Sequence, residues 1–168
     1  MPPRSVVLIG FMAAGKTAVG RALASKLGYE FCDTDAMVVE TAGRTVEEVF
    51  AAEGEEGFRA RERDAVVRAA ARPGRVVACG GGAILSVRNY GVLKGAGPIV
   101  YLRASPDELI ARLGTGSGRP LLGGDPKKAV PKLLAERAPA YETAADLVVD
   151  TDGRAPEEVA TEIAEKLA

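Results

Sequence analysis

The sequence predicts an α/β fold in three layers, with a five-stranded parallel sheet carrying helices on both faces. Five short apolar runs alternate with longer segments rich in alanine, glutamate, arginine and leucine. Parallel strands need a crossover connection, usually a helix, so this alternation predicts parallel strands between helices. Glycines, aspartates or a serine follow four of the runs. Ligands in this class bind at the carboxyl ends of the strands, so we expect the functional site there.

In chain order, strands are predicted over residues 5–9, 29–32, 76–79, 99–102 and 146–149. Helices are predicted over residues 16–27, 45–52, 55–71, 106–113, 127–137 and 156–167. Thr45 and Ser105 are candidate N-caps, Pro156 suits a first helical turn, and Gly28 and Gly74 suit helix ends. Glycine and proline are too frequent in residues 114–126 for a regular element, so we predict a lid loop there.

Length and composition indicate one domain spanning residues 1–168, with 47% hydrophobic and 27% charged residues. A formal net charge of -1 gives no general attraction to nucleic acid. No apolar run approaches the roughly 18 residues of a membrane span. The first residues lead directly into the first strand, which leaves no room for a signal peptide. We therefore expect a cytoplasmic protein, a monomer, that binds small molecules and neither nucleic acid nor membrane.

Histidine is absent from the chain, which excludes a histidine base or a histidine metal ligand. Cys32 and Cys79 each end an apolar run, so we interpret them as small buried hydrophobic residues rather than a disulfide or a metal site.

The most specific motif is Gly10-Phe-Met-Ala-Ala-Gly-Lys-Thr17, a complete G-x-x-x-x-G-K-[ST] phosphate loop between a predicted strand and a predicted helix. In such a loop the backbone N–H groups surround a polyphosphate, Lys16 reaches its β- and γ-phosphates, and the Thr17 hydroxyl can bind Mg²⁺. The alternative is a glycine turn followed by a surface lysine. The flanking elements favour a nucleoside triphosphate site.

Two aspartates follow the second strand, in Asp33-Thr-Asp35. If the extended geometry persists, both carboxylates face the same side and enter the ligand crevice. One could then serve the magnesium shell while the other accepts a proton from an attacking hydroxyl. Alternatively, they are the acidic residues that favour a helix N-terminus, because residues 36–41 could be helical.

Three further features are candidates for an acceptor site. Arg59 lies on a predicted helix three residues before Glu62, with which it can pair, although a solvated charged face is the usual explanation for such a run. Arg137 stands near the end of another predicted helix, where it is well placed to bind an anion but could also belong to a solvated charged face. The consecutive Gly80, Gly81 and Gly82 suit a backbone that approaches a ligand or adopts positive φ, or else a flexible turn.

Together these motifs resemble the shikimate kinase family nearly from end to end. The resemblance comprises the phosphate loop, Asp33-x-Asp35, Phe58-Arg59 with Glu62 and the triple glycine. It continues through Arg119-Pro-Leu-Leu122, Arg137-Ala-Pro-x-Tyr141 and Asp150-Thr-x-x-Arg-x-Pro156. Thr17 stands where serine is more usual, which preserves the hydroxyl, and Ala14 occupies a slot often held by another small residue.

The resemblance implies a P-loop fold like that of nucleoside monophosphate kinases and an ATP-dependent transfer to the 3-hydroxyl of shikimate, with Mg²⁺ as cofactor. It implies catalytic roles for Asp35, Lys16 and Arg119, metal binding by Thr17 and Asp33, and a lid that closes over both substrates. Shikimate would contact Asp35, Arg59, Gly80, Gly81, Gly82 and Arg137. ATP would contact Ala13, Ala14, Gly15, Lys16, Thr17, Ala18, Arg112, Arg119 and Arg154.

Two alternatives remain at this point. One is another small P-loop kinase, acting on gluconate or on a nucleoside monophosphate. A monophosphate acceptor needs phosphate-binding arginines and a base pocket, and the candidate acceptor residues suit a hydroxylated carboxylic acid better. The second alternative is a nucleotide-dependent module without catalysis.

Overall fold

The computed structural model describes residues 4–114 and 124–168. Its sheet has five parallel strands in the order β2-β3-β1-β4-β5, which confirms the predicted fold class. The strands are β1 Val6–Ile9, β2 Glu30–Asp33, β3 Arg75–Ala78, β4 Ile99–Arg103 and β5 Leu147–Asp150. Every strand lies within one or two residues of its predicted position.

Seven α-helices are described around the sheet. They are α1 Lys16–Leu27, α2 Thr34–Ala42, α3 Val46–Ala70, α4 Val87–Ala96, α5 Pro106–Leu113, α6 Pro126–Ala144 and α7 Pro156–Leu167. Helices α1 and α7 pack on each other, α3 packs on α4, and α5 packs on α6. Thr45 and Ser105 cap α3 and α5 as predicted, and each hydroxyl accepts a backbone N–H bond.

Three differences from the predicted elements concern helices. Helix α3 joins the two predicted segments and is kinked at Gly54, whose φ of 71° lies outside the helical region. Helix α6 runs through Pro139 to Ala144 instead of ending at Arg137. Helix α4 was missed; its N-cap is Ser86, whose hydroxyl accepts a bond from the Asn89 N–H.

The middle strands are fully buried. Val7 and Leu8 of β1 and Val76 and Val77 of β3 have no measurable exposure. Such continuous apolar strands need a covering layer on each face, which explains why helices lie on both sides of the sheet. Cys79 is buried, as the sequence predicted, whereas Cys32 is only partly buried.

The predicted lid, residues 114–126, lies mostly outside the described residues, and so does Arg119. At its far end Asp125 caps α6 and Pro126 is the first residue of that helix, one residue earlier than predicted. Of the described helices, none is both long enough and apolar enough to cross a membrane.

Candidate active site

A cavity of about 420 Å³ opens at the carboxyl ends of β1, β2 and β3. This is the edge where an open α/β sheet places its ligands. Most of the predicted catalytic, acceptor and metal residues line it: Lys16, Thr17, Asp33, Asp35, Arg59, Gly81, Gly82 and Arg137. The sheet therefore gathers residues that are up to 121 positions apart in the sequence, counting from Lys16 to Arg137.

The phosphate loop forms one wall of the cavity. Gly10 has a φ of 152°, and a Cβ there would lie 2.7 Å from the carbonyl oxygen of Leu102, so only glycine fits. Gly15 has a φ of 100° and precedes α1, whose N-terminus has no side-chain cap. The first N–H groups of α1 are therefore available to an anion.

Lys16 is held at the base of the loop. Its ammonium donates to the carbonyl oxygens of Gly10 and Phe11 at 2.7 and 2.8 Å. Burial lowers the pKa of Lys16 from 10.5 to about 8, while the negative charges of Asp35 and Asp33 oppose that shift. A polyphosphate at this position would favour the ammonium form.

Asp33 connects the acidic segment to the phosphate loop. One of its carboxylate oxygens accepts a bond from the Thr17 hydroxyl at 3.1 Å, and the other accepts from the Ala36 N–H at 3.1 Å. The second bond makes Asp33 the N-cap of α2. Asp33 and Thr17 thus lie side by side at the mouth of the loop.

The extended geometry predicted for the two aspartates ends at Asp33, because α2 begins at Thr34 and contains Asp35 in its first turn. The expected reason for their common orientation was therefore wrong. The helical turn still directs Asp35 into the cavity, where an Oδ1 atom lies 2.5 Å from the position a Cβ on Gly80 would take.

Arg59 forms the predicted pair with Glu62. The guanidinium donates to Glu62 Oε1 at 2.8 Å, and the Glu62 side chain is only 2% exposed. Burial raises the pKa of Glu62, and the positive charge of Arg59 opposes the shift. Within the described part of the chain, Glu62 Oε2 is buried and has no hydrogen-bond partner. Arg59 is therefore held by a buried charge instead of lying on a solvated face.

Each of the three consecutive glycines lies against a charged side chain. A Cβ on Gly80 would meet Asp35, one on Gly81 would meet Arg137, and one on Gly82 would meet Arg59, at 2.5, 3.2 and 2.5 Å. None of the three has positive φ, so that part of the expectation was wrong. Because glycine has no side chain, these three positions instead leave space for the charged groups of Asp35, Arg137 and Arg59.

Arg137 extends from α6 and is only 5% exposed. Its guanidinium carbon lies 5.8 Å from the centre of the Phe11 ring. Nη1 is buried without a hydrogen-bond partner among the described residues. An unpaired buried cation donor costs free energy, which suggests that an anionic ligand completes the site.

Ala13 and Gly15 line the cavity together with Lys16 and Thr17, whereas Ala14, Ala18, Arg112 and Arg154 do not. Arg112 reaches the phosphate loop, where it donates to the Ala13 carbonyl at 3.2 Å, and it also bonds Thr151 in the loop after β5. Arg154 donates to the Asp150 carbonyl and to Glu162. Ala14 is buried beneath the loop, and Ala18 is exposed in the first turn of α1.

An apolar wall of the cavity was missed from the sequence. Val39 of α2 and Val46 and Phe50 of α3 line it, and the Phe50 ring stacks on Phe58 with centroids 4.7 Å apart. The two phenylalanines lie on either side of the non-helical Gly54, so helical periodicity in the sequence did not indicate that they share this wall.

Comparison with known proteins identifies the family. The model of the shikimate kinase family matches residues 12–168. A shikimate kinase of Symbiobacterium thermophilum is 49% identical over 97% of this chain and 95% of its own length. That of Moorella thermoacetica is 46% identical over 98% of this chain and 95% of its own length.

Solved structures agree with the sequence comparisons. A shikimate kinase from Acinetobacter baumannii in complex with shikimate superposes with a TM-score of 0.95 at 36% identity, covering 98% of this chain and 93% of that one. A sugar kinase from Janibacter, at 19% identity and a TM-score of 0.64, shares the fold alone. With the family model, the relatives and the fold in agreement, this chain belongs to the shikimate kinase family.

Proposed function

We propose that this protein transfers the γ-phosphoryl group of ATP to the 3-hydroxyl of shikimate, giving shikimate 3-phosphate and ADP. The observation that carries the proposal is the convergence of Arg59, Arg137 and Asp35 on one cavity that also contains Lys16 of the phosphate loop. The cavity thus combines a place for a triphosphate with a place for a small anion that has hydroxyl groups.

The acceptor half suits a cyclic hydroxylated carboxylic acid. Arg59 and Arg137 offer charge-assisted hydrogen bonds to a carboxylate, each worth about 1.5–3 kcal/mol. The Asp35 carboxylate can bond hydroxyl groups, and so can the backbone of residues 80–82, which we call the glycine segment. The wall containing Val46 and Phe50 suits an apolar ring face.

In the proposed reaction Asp35 accepts the proton of the attacking hydroxyl. The hydroxyl oxygen then forms a bond to the γ-phosphorus, and the bond from that phosphorus to the β–γ bridging oxygen breaks, releasing ADP. Lys16 stabilises the charge on the transferred group. Positioning and charge stabilisation usually contribute more than the base, so Lys16 should matter at least as much as Asp35.

Mg²⁺ fits the pair formed by Thr17 and Asp33. A hydroxyl and a carboxylate oxygen 3.1 Å apart are hard oxygen donors, and Mg²⁺ in phosphoryl-transfer sites commonly takes only one or two protein ligands beside phosphate and water. Those two residues would hold the ion. When bound, the ion would neutralise charge on the phosphate oxygens.

For the nucleotide we propose contacts from Ala13, Ala14, Gly15, Lys16, Thr17 and Ala18 in the loop and first turn of α1. Arg112 and Arg154 are proposed to border the adenine. Arg119 is proposed to reach the phosphates from the lid, where closure would protect ATP from water. A cytoplasmic location and a monomeric state also remain predictions.

The test is an ADP-release assay with Mg²⁺ and ATP, comparing shikimate with gluconate, nucleoside monophosphates and water alone. We expect turnover with shikimate to exceed every other acceptor by orders of magnitude, and phosphorus NMR should identify a 3-phosphate ester. Turnover with shikimate no faster than with water would overturn the proposal. Preference for gluconate or a nucleoside monophosphate would assign the other kinase activity.

A further inference from the structure

Tyr141, on helix α6, makes a hydrogen bond to the backbone of the glycine segment. Its hydroxyl donates a hydrogen bond of 2.5 Å to the carbonyl oxygen of Gly81, sixty positions away in the sequence. The side chain is fully buried, and its ring lies 5.1 Å from the ring of Tyr101 on β4. Packing against Tyr101 orients the ring of Tyr141, and the hydroxyl can then bond the backbone of Gly81.

This bond lies beside the acceptor arginine. Tyr141 follows Arg137 by four residues, one helical turn along α6, so both project from the same side of the helix. Burial raises the pKa of Tyr141 to about 12, and the Arg137 guanidinium beside the hydroxyl opposes that shift. The hydroxyl therefore stays protonated at neutral pH and remains a donor to Gly81.

The position of Gly81 matters because Arg137 occupies the space above it. Arg137 Nη1 lies 3.2 Å from where a Cβ of Gly81 would be, and Gly82 has the same relationship to Arg59. A glycine segment is conformationally permissive and needs an external contact to hold one position. The Tyr141 bond is such a contact at its central residue.

We propose that Tyr141 is a positioning residue for the acceptor: its hydroxyl fixes Gly81 against α6 and thereby sets where Arg137 meets the substrate carboxylate. The proposal rests on the proposed function, because it assumes that this carboxylate belongs to shikimate. Tyr141 itself does not line the cavity, so it acts through Gly81 and Arg137.

Tyr141→Phe is the test, because it removes the hydroxyl and keeps the ring. Tyr101→Phe is the matched control, since it removes the hydroxyl of the neighbouring buried ring, for which no bond to the glycine segment exists among the described contacts. We expect Tyr141→Phe to raise the KM for shikimate about tenfold while the KM for ATP changes less than about twofold. Tyr101→Phe should change neither.

A double-mutant cycle asks whether Tyr141 acts through Arg137. In an Arg137→Ala background, Tyr141→Phe should raise the KM for shikimate by less than about threefold, because the side chain that it positions is gone. Full additivity, an equal rise in both KM values, or identical behaviour of the two phenylalanine variants would overturn the proposal.

Hydrogen exchange separates positioning from general stability. In Tyr141→Phe we expect faster exchange at residues 80–82 and unchanged exchange in α1. Fast exchange throughout the chain, or failure to fold, would assign the hydroxyl to the fold and overturn the proposal. If the wild-type protein does not phosphorylate shikimate, the proposed function fails first. If it does so and Tyr141→Phe matches Tyr101→Phe, only the positioning role fails.

Discussion

The Arg59 guanidinium occupies the space into which a side chain on Gly82 would project. An ideal Cβ on Gly82 would lie 2.5 Å from Nη2 and 2.8 Å from Nη1 of Arg59, well inside van der Waals contact. Gly82 has a φ of -102°, which any residue can adopt. Glycine is therefore needed here for space and not for backbone freedom.

Gly82→Ala should impair the acceptor without unfolding the protein. The obstructed atoms are the end of a flexible arginine, which can move aside without displacing the backbone but then leaves its productive position. We expect the KM for shikimate to rise roughly tenfold to a hundredfold, with the ATP KM nearly unchanged. Steady-state kinetics with each substrate varied in turn would measure both.

Gly91→Ala is the matched control for that substitution. Gly91 lies in helix α4, and a Cβ there has open space. The change should leave both KM values alone and stabilise the protein by about 0.5–1 kcal/mol, because alanine favours a helix over glycine. Equal kinetic effects of the two alanine variants would contradict the steric account of Gly82.

Asp35→Asn should separate catalysis from nucleotide binding. Loss of a general base typically costs about 10²–10⁴ in rate, so we expect kcat to fall by that factor while the affinity for ATP persists. Single-turnover phosphoryl transfer and equilibrium binding of ADP would report the two quantities. A kcat within about threefold of wild type would remove Asp35 from the role of base.

Asp33→Asn provides the comparison on the neighbouring aspartate. Asparagine is as good an N-cap as aspartate, so α2 should keep its start. The neutral amide is a poorer magnesium ligand, and the Mg²⁺ concentration needed for half-maximal rate should therefore rise. An unchanged Mg²⁺ requirement would exclude Asp33 from the metal shell.

Arg59→Ala and Arg137→Ala should each raise the KM for shikimate far more than the KM for ATP. Each removes a charge-assisted bond worth about 1.5–3 kcal/mol, which corresponds to roughly 10-fold to 100-fold in affinity. Arg63→Ala is the control, since Arg63 is exposed one turn further along α3 and does not line the cavity. An equal rise in both KM values would assign the arginine to the nucleotide or to the fold.

The strands and the phosphate loop were predictable because their signals are local. Four buried apolar residues, Val6–Ile9, followed by a glycine-rich loop specify a strand and a turn without help from the rest of the chain. Helix α4 lacked such a signal, since Gly91 and Gly95 interrupt its pattern. The helix packs on α3 through tertiary contacts that the sequence does not display.

Contacts between distant segments account for what the sequence did not predict at the site. Helix α6 continues past Pro139 because Tyr141 and Ala144 are buried against the sheet, and that packing outweighs the bond lost at the proline. The charged side chains beside Gly80, Gly81 and Gly82 come from three different helices. A triple glycine in the sequence indicates conformational freedom of the backbone or a need for space, but it does not identify the side chains that occupy that space.

The buried ammonium of Lys16 predicts a measurable uptake of protons on nucleotide binding. Burial lowers its pKa from 10.5 to about 8, so between these two values the unfolded chain holds this proton more often than the folded protein. The contribution of this group to the free energy of unfolding therefore rises as the pH rises from about 8 to 10.5 in the ligand-free protein. Bound phosphates reverse the effect by stabilising the ammonium.

At about pH 9 we expect ADP binding to take up close to one proton, and markedly less at about pH 7.5, where Lys16 already carries its charge. Calorimetric titrations in two buffers of different ionisation enthalpy would measure the uptake. Lys16→Met is the control and should take up none at the higher pH. Undiminished uptake by Lys16→Met would assign the proton to another group, and no uptake by the wild type would mean that Lys16 is charged before the nucleotide arrives.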